Sequence, residues 1–158
     1  MLVAGCSAAG REPSTDLVDA EQPSREEALV VHVVDGDTFD VEFSGRTTER
    51  VRMPQIDTPE LDECGYGEST ATLEDLILGE TVRLGPTESG PNRDDHRRLL
   101  RAAELDGDDV GELLVRAGLA RWVSRYADED RRLAEMYDDA EEQARDEGAG
   151  LWSSCRWS

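Results

Sequence analysis

Hydrophobic positions along the chain change period several times, and the changes mark out its elements. Leu29 to Val34 is a β-branched run, LVVHVV, that ends in the turn Asp35-Gly36-Asp37. Thr38 to Phe43 alternates, with Phe39, Val41 and Phe43 on one face, and Thr47 to Met53 returns as a third strand after Ser44-Gly45-Arg46. In that strand the two-residue period puts Arg50 and Arg52 opposite Val51 and Met53. Gly67 to Leu78 has helical spacing: Leu73, Leu76 and Ile77 form the stripe, Ser69 lies in the N-cap region and Gly79 is the stop. Glu80 to Leu84 is a fourth strand, Gly85 to Asp95 a polar loop and Arg98 to Leu105 a fifth strand ending at Asp106-Gly107. Val110 to Ala117 is a short helix with Val110, Leu113, Leu114 and Ala117 inward, and Leu119 to Val123 is extended. The longest helix, Glu129 to Glu147, carries Leu133, Met136, Tyr137, Ala140 and Ala144 on one stripe.

Five strands with a helix before the fourth predict an α+β domain. The nearest architecture is a five-stranded Greek-key barrel of the oligonucleotide-binding type, here with three helices. The domain is expected over residues 28–158. Residues 1–27 lack periodicity and read as a disordered acidic tether behind Leu2-Val3-Ala4-Gly5-Cys6. That opening pentapeptide matches a lipobox, in which a cysteine is lipidated after cleavage, although only five residues precede Cys6 where a signal peptide needs a longer apolar region. It therefore predicts an extracytoplasmic protein, secreted or anchored to a membrane through Cys6. A chance match at a frayed terminus is the alternative.

Composition sharpens this picture through charge. Thirty-seven acidic residues face 17 basic ones, a net of -20, and every one of those 17 is Arg. The acidity runs through the folded part, in LDGDD, YADEDRR and YDDAEEQARDEG. Such a surface suits molar salt, where the Debye length falls to about 3 Å; an acidic mesophile protein from a GC-rich genome is the other reading. In either case a broad basic face for nucleic acid is excluded, so phosphate chemistry would need local arginines and a metal.

The stretch from Val33 to Leu61 offers both. Asp35-Gly36-Asp37-Thr38 and Asp57-Thr58-Pro59-Glu60 are acidic turns joined by a hairpin that carries Arg52. Two carboxylate turns brought together can hold a hard cation. Taken singly, the first would be a turn satisfying its own backbone, the second a helix entry and Arg52 a solvated strand residue.

Joined to the motifs nearer the carboxyl terminus, these turns resemble the staphylococcal (thermonuclease-like) nuclease family over about Leu29 to Trp152. The landmarks appear in order: VVDGDT, RMPQIDTPE, the Gly-Tyr-Gly-Glu-Ser helix entry, RDDHRRLLRAAELDGDDV, ELLVRAGLAR and the closing GAGLW. The resemblance implies that Asp37, Asp57 and the carbonyl of Thr58 bind Ca²⁺, a cation that takes 6–8 oxygen ligands, so that water and phosphate complete its shell. It implies that Glu60 orients or deprotonates the attacking water, and that Arg52 and Arg98 grip the phosphate, a task suited to a forked, permanently charged guanidinium. Arg98 is assigned by counting back from Asp106-Gly107, with Arg97 as the neighbouring alternative. The implied reaction is Ca²⁺-dependent hydrolysis of DNA, with RNA a further candidate, by a monomer that leaves 3′-phosphate ends. Two departures bear on substrate contacts. Asp95 and His96 stand where the family has a basic residue and an aromatic, and of two pocket aromatics, falling on Ser124 and Tyr126, only Tyr126 remains for substrate binding.

Rival readings are an idle nucleic-acid-binding barrel, which would be free to lose Arg52, Glu60 and Arg98, and a surface calcium module, which has no need of two arginines. Of the cysteines, Cys64 and Cys155 are expected to bridge if Cys6 is lipidated, with two free thiols as the alternative. No Cys/His spacing suits zinc. His32, alternating within a strand, reads as structural, and His96 receives no role.

Overall fold

The computed structural model describes residues 25–45, 47–86, 91–124, 131–155 and 157. Cys6, Tyr126 and residues 1–24 of the expected tether lie outside these residues. Strands β1 (Glu26–Val33), β2 (Thr38–Phe43) and β3 (Thr48–Arg52) form the meander predicted from the alternating runs. β4 (Ile56–Asp57) and helix α1 (Tyr66–Ile77) come next, then β5 (Thr81–Pro86), β6 (Leu99–Leu105) and β7 (Asp108–Asp109). Helix α2 (Val110–Arg116), β8 (Arg121–Trp122), helix α3 (Arg131–Glu147) and the one-turn helix α4 (Leu151–Ser154) complete the chain.

The sheet order is β3-β2-β1-β5-β6-β7, and a parallel pairing of β3 with β6, Val51 opposite Leu99 and Arg52 opposite Leu100, closes five strands into a barrel. Closure leaves those five strands without a free edge. β1 registers with β2 on one side and β5 on the other, and its pairing with β2 slips between Val30 and His32. Such a bulge bends a strand sharply enough for it to serve both neighbours. Inside the barrel lie Val30, Phe39, Val41, Val51, Val82, Leu84 and Ala103, the alternate residues of each strand.

The helices pack over one end. Tyr137 of α3 stacks on Trp122 with ring centroids 4.5 Å apart, and its hydroxyl donates to Asp109 at 2.6 Å. Asp109 also caps α2 by accepting from the amide of Glu112. Burial pushes the Asp109 carboxyl above its ordinary range against these bonds. Gly118, at φ +72°, ends α2 where a Cβ would stand 2.2 Å from the carbonyl of Ala149, so only glycine admits the chain leading to α4.

Several expectations need correcting. β1 starts at Glu26, inside the expected tether, because Glu26 and Glu27 pair with Leu84 and Arg83 of β5. Ser69 does not cap α1. The helix begins a turn earlier, after Gly65, and Ser69 is buried within it, donating to the carbonyl of Leu119 at 2.7 Å. The inward face of α2 is Val110, Gly111, Leu114 and Val115, whereas Ala117 is exposed, because α3 crosses on the side where Gly111 lets the Tyr137 hydroxyl approach. The extended segment after α2 is only the two residues of β8, which pair with β4. The fourth helix, α4, is one the spacing did not predict: four residues are too few to show a period.

Candidate active site

Arg52 sits at the end of β3, on the strand face opposite the buried Val51 and Met53, and its guanidinium lies between the two acidic turns. Nε donates to Asp37 Oδ1 at 2.9 Å and Nη2 lies 3.5 Å from Asp57 Oδ1. Nη1 donates to the carbonyl of Ile56 at 2.8 Å and to that of Met53, which fixes the plane of the fork. The turns also bond each other directly. Asp37 Oδ2 accepts from the amide and the hydroxyl of Thr58, at 3.3 and 3.2 Å. Gly36 permits that approach, since a Cβ there would meet Thr58 and Ser69 side-chain atoms at 2.8–2.9 Å.

The structure thus brings Asp37, Arg52, Asp57 and Thr58 into one cluster, and neither Arg98 nor Glu60 bonds to it. Arg98 precedes β6, two residues before the residue that registers with Arg52. Its Nε donates to Asp94 Oδ2 at 2.6 Å, while Asp94 Oδ1 accepts from the amides of His96 and Arg98. Burial opposes ionisation of Asp94, but the bonds from Arg98 and His96 outweigh it and hold the carboxyl below its usual range. Sequence reasoning missed Asp94 as a site residue. An aspartate whose side chain meets backbone amides two and four residues on is an Asx-type turn, and that spacing was the signal available. The loop is held against β3 by a two-pronged pairing of Arg93 with Glu49 at 2.9 and 3.0 Å. The Glu60 carboxylate is exposed and has no hydrogen bond or ion pair among the described residues, while the Glu60 amide donates to Glu63. Asp95 and His96, the positions that depart from the family pattern, are exposed, as is Ser124. Tyr126 lies outside the described residues.

Asp37 is 5% exposed, and desolvation pushes its pKa up to about 7 against the attraction of Arg52, with the neighbouring Asp35 raising it further. Burial sets that shift, since both Asp37 oxygens already accept bonds from Arg52 and Thr58. Oxygen donors on both sides of one guanidinium suit a hard cation, so the residues fit Ca²⁺ chemically. Asp37 and Asp57 would supply the carboxylates, and among the described residues no group of three or more His, Cys, Asp and Glu could hold a metal ion. Thr58 and water would therefore supply the other oxygens.

Residues 50–154 match the family model described as staphylococcal nuclease homologue. The chain belongs to the staphylococcal nuclease family. That match takes in Arg52, Asp57, Thr58, Glu60 and Arg98 and begins after Asp37. Relatives of this family agree. An uncharacterized endonuclease of Escherichia coli O157:H7 is 37% identical over 128 residues, covering 80% of this chain and 76% of its own. A micrococcal nuclease of Shigella flexneri is 32% identical over 133 residues, 78% and 72% of the two chains. An uncharacterized endonuclease of Haemophilus influenzae is 29% identical over 124 residues, 78% and 65%. The closed barrel with its helices is the fold of this family, and this member is a nuclease, a phosphodiester hydrolase.

Proposed function

We propose that this nuclease is Ca²⁺-dependent and hydrolyses phosphodiester bonds of DNA, with RNA as a second substrate, by attack of water that leaves 3′-phosphate ends. The observation that carries the reading is the single guanidinium of Arg52 in contact with both acidic turns. Asp37, Asp57 and Thr58 are the oxygen donors for calcium, which when bound supplies positive charge to a phosphate oxygen. Arg52 keeps Nη2 as its most weakly engaged donor edge, and this edge faces a phosphate oxygen in the reading. Arg98 supplies the second guanidinium, and the two stabilise charge gathered on phosphorus in the five-coordinate transition state. Glu60, exposed and without a partner among the described residues, takes the proton of the attacking water.

The same reading has the enzyme outside the cytoplasm, as a monomer that is secreted or attached to a membrane through lipid on Cys6. The Cys64–Cys155 disulfide supports that placement, because such bonds persist in oxidising compartments. Among the described residues no helix is long and apolar enough to cross a membrane.

The test is cleavage of single-stranded DNA, duplex DNA and RNA in molar salt by the full chain, with Ca²⁺, Mg²⁺ or EGTA, beside an Arg98→Ala variant. Calcium-dependent cleavage that falls about 10²–10³-fold in the variant is expected, the usual cost of one transition-state donor. Binding without cleavage by a folded wild type would replace the catalytic reading with that of an idle binding barrel.

A further inference from the structure

A concavity adjoins the second acidic turn. It encloses about 280 Å³ and is walled by Asp57, Thr58, Glu63, Arg121, Trp157 and the disulfide. Three separate pieces of the fold build it: the loop after β4, the first residue of β8 and the segment after α4. The disulfide joins the first piece to the last, with Cα atoms 5.8 Å apart across 91 residues of chain. Trp157 leans on Trp152, ring centroids 5.7 Å apart and planes tilted by 49°, and Arg145 lies over the far indole at 4.8 Å. The Trp157 Nε1–H is buried and has no acceptor among the described residues.

We infer that this groove is a nucleotide subsite in which Trp157 carries the base next to the scissile phosphate. The inference rests on the nuclease reading, since it takes Asp57 and Thr58 as the edge of the reacting centre. Size limits the occupant to about one nucleotide, because 280 Å³ falls just under the range of about 300–1,000 Å³ typical of ligand sites. Charge selects which part of the nucleotide enters. Two carboxylates and one guanidinium line the walls, so a phosphate is disfavoured and a neutral, flat base with polar edges is accepted. Trp157 supplies an aromatic surface on which a base can stack. Glu63 accepts base N–H groups only with the oxygen not already taken by the Glu60 amide. The groove thereby offers stacking in a chain where Ser124 replaces one aromatic of the family's pocket, and it does so from a segment beyond the helices.

The test uses tryptophan emission of the full chain titrated with oligothymidylate in EGTA, and kinetics with Ca²⁺ on oligothymidylate and on an oligomer of abasic sites. Trp157→Leu keeps apolar cover over Trp152 and removes the flat ring, and Trp157→Phe restores a ring without the N–H. Quenching in the wild type that is lost in both variants is expected, because Trp157 is the reporter. On oligothymidylate, Trp157→Leu is expected to raise KM about five- to 150-fold, the range of one base–aromatic stack, with kcat within about twofold. Trp157→Phe recovers most of that KM, and the abasic oligomer is cleaved alike by all three proteins. Undiminished quenching in Trp157→Phe, no quenching in the wild type, or an equal KM change on both oligomers would overturn the subsite. Trp157→Phe alone decides the quenching test if Trp157→Leu does not fold. A wild type that is quenched by the oligomer yet cleaves nothing with Ca²⁺ would sink the catalytic reading and leave the subsite standing.

Discussion

Asp94 is the residue on which the geometry of the second arginine turns. Its two oxygens do different things: Oδ1 holds the loop backbone through the amides of His96 and Arg98, and Oδ2 holds the Arg98 guanidinium. Asp94→Asn separates the two, because the amide oxygen still accepts from the backbone while the ion pair is gone. With Arg98 in the catalytic role proposed for it, the variant is expected to lose about 10- to 100-fold in kcat, the cost of a misplaced catalytic group. KM and thermal stability should change little. A loss of stability with unchanged kcat would make Asp94 a loop residue only. The legibility of the site divides along the same line. Asp37, Arg52, Asp57 and Thr58 could be placed from the chain because their motifs, taken together and in order, resemble those of the family. Asp94 and Trp157 could not, since one bonds across a turn in a stretch read as plain loop and the other reaches its groove only through a distant disulfide.

At the scale of elements, the strands of the meander and the two long helices followed from period alone, because each buries one face and exposes the other. A closed barrel of five strands was expected, but not which strands meet, since the parallel contact between Val51 and Leu99 joins β3 to a strand beyond β4, α1 and β5. The inward face of α2 was missed for a related reason. In a helix of seven residues the stripe is set by what crosses it, and Gly111 yields to the Tyr137 hydroxyl of α3. The segment after α3 is likewise placed by long-range bonds. Leu151 donates its amide to the carbonyl of Gly118, and the disulfide fastens Cys155 beside the loop after Asp57. Replacing both cysteines, Cys64→Ser with Cys155→Ser, frees a loop whose closure is worth about 4–5 kcal/mol in the chain-entropy argument, and measured losses run about 2–5. Urea unfolding should therefore show a drop of that size, with a matching fall under reductant in the wild type and none in the double variant. An unchanged midpoint would show that the bridge does not constrain the unfolded chain.

For the whole molecule, the decisive property is that a net charge of -20 surrounds a site asked to hold a cation and a phosphate. Self-repulsion of this kind weakens as salt shortens the Debye length, so the surface is best tolerated where long-range fields are screened. The buried Asp37 responds to pH in its own way. Its folded pKa of about 7 lies above the ordinary value of 3.8, so the folded state binds a proton that the unfolded state has released between these limits. Its contribution to stability is complete below about pH 4 and is lost as pH rises through 7. Asp40 and Asp94 act in the opposite sense. The bond from Arg50 lowers the first, and the bonds from Arg98 and His96 lower the second against burial, so their contribution is lost as the solution is acidified through their folded values. Calcium bound at Asp37 would favour its ionised form and release the proton. The melting temperature without calcium is accordingly expected to fall between about pH 4 and 7, and the gain on adding Ca²⁺ to grow as pH rises toward 7. Asp37→Asn should flatten the calcium trend and weaken the first, of which the raised Asp109 carboxyl keeps a share. Scanning calorimetry at fixed molar salt checks this without any substrate. A calcium-induced gain that is equal at pH 5 and pH 8 would remove Asp37 from the cation site, whatever the enzyme does to DNA.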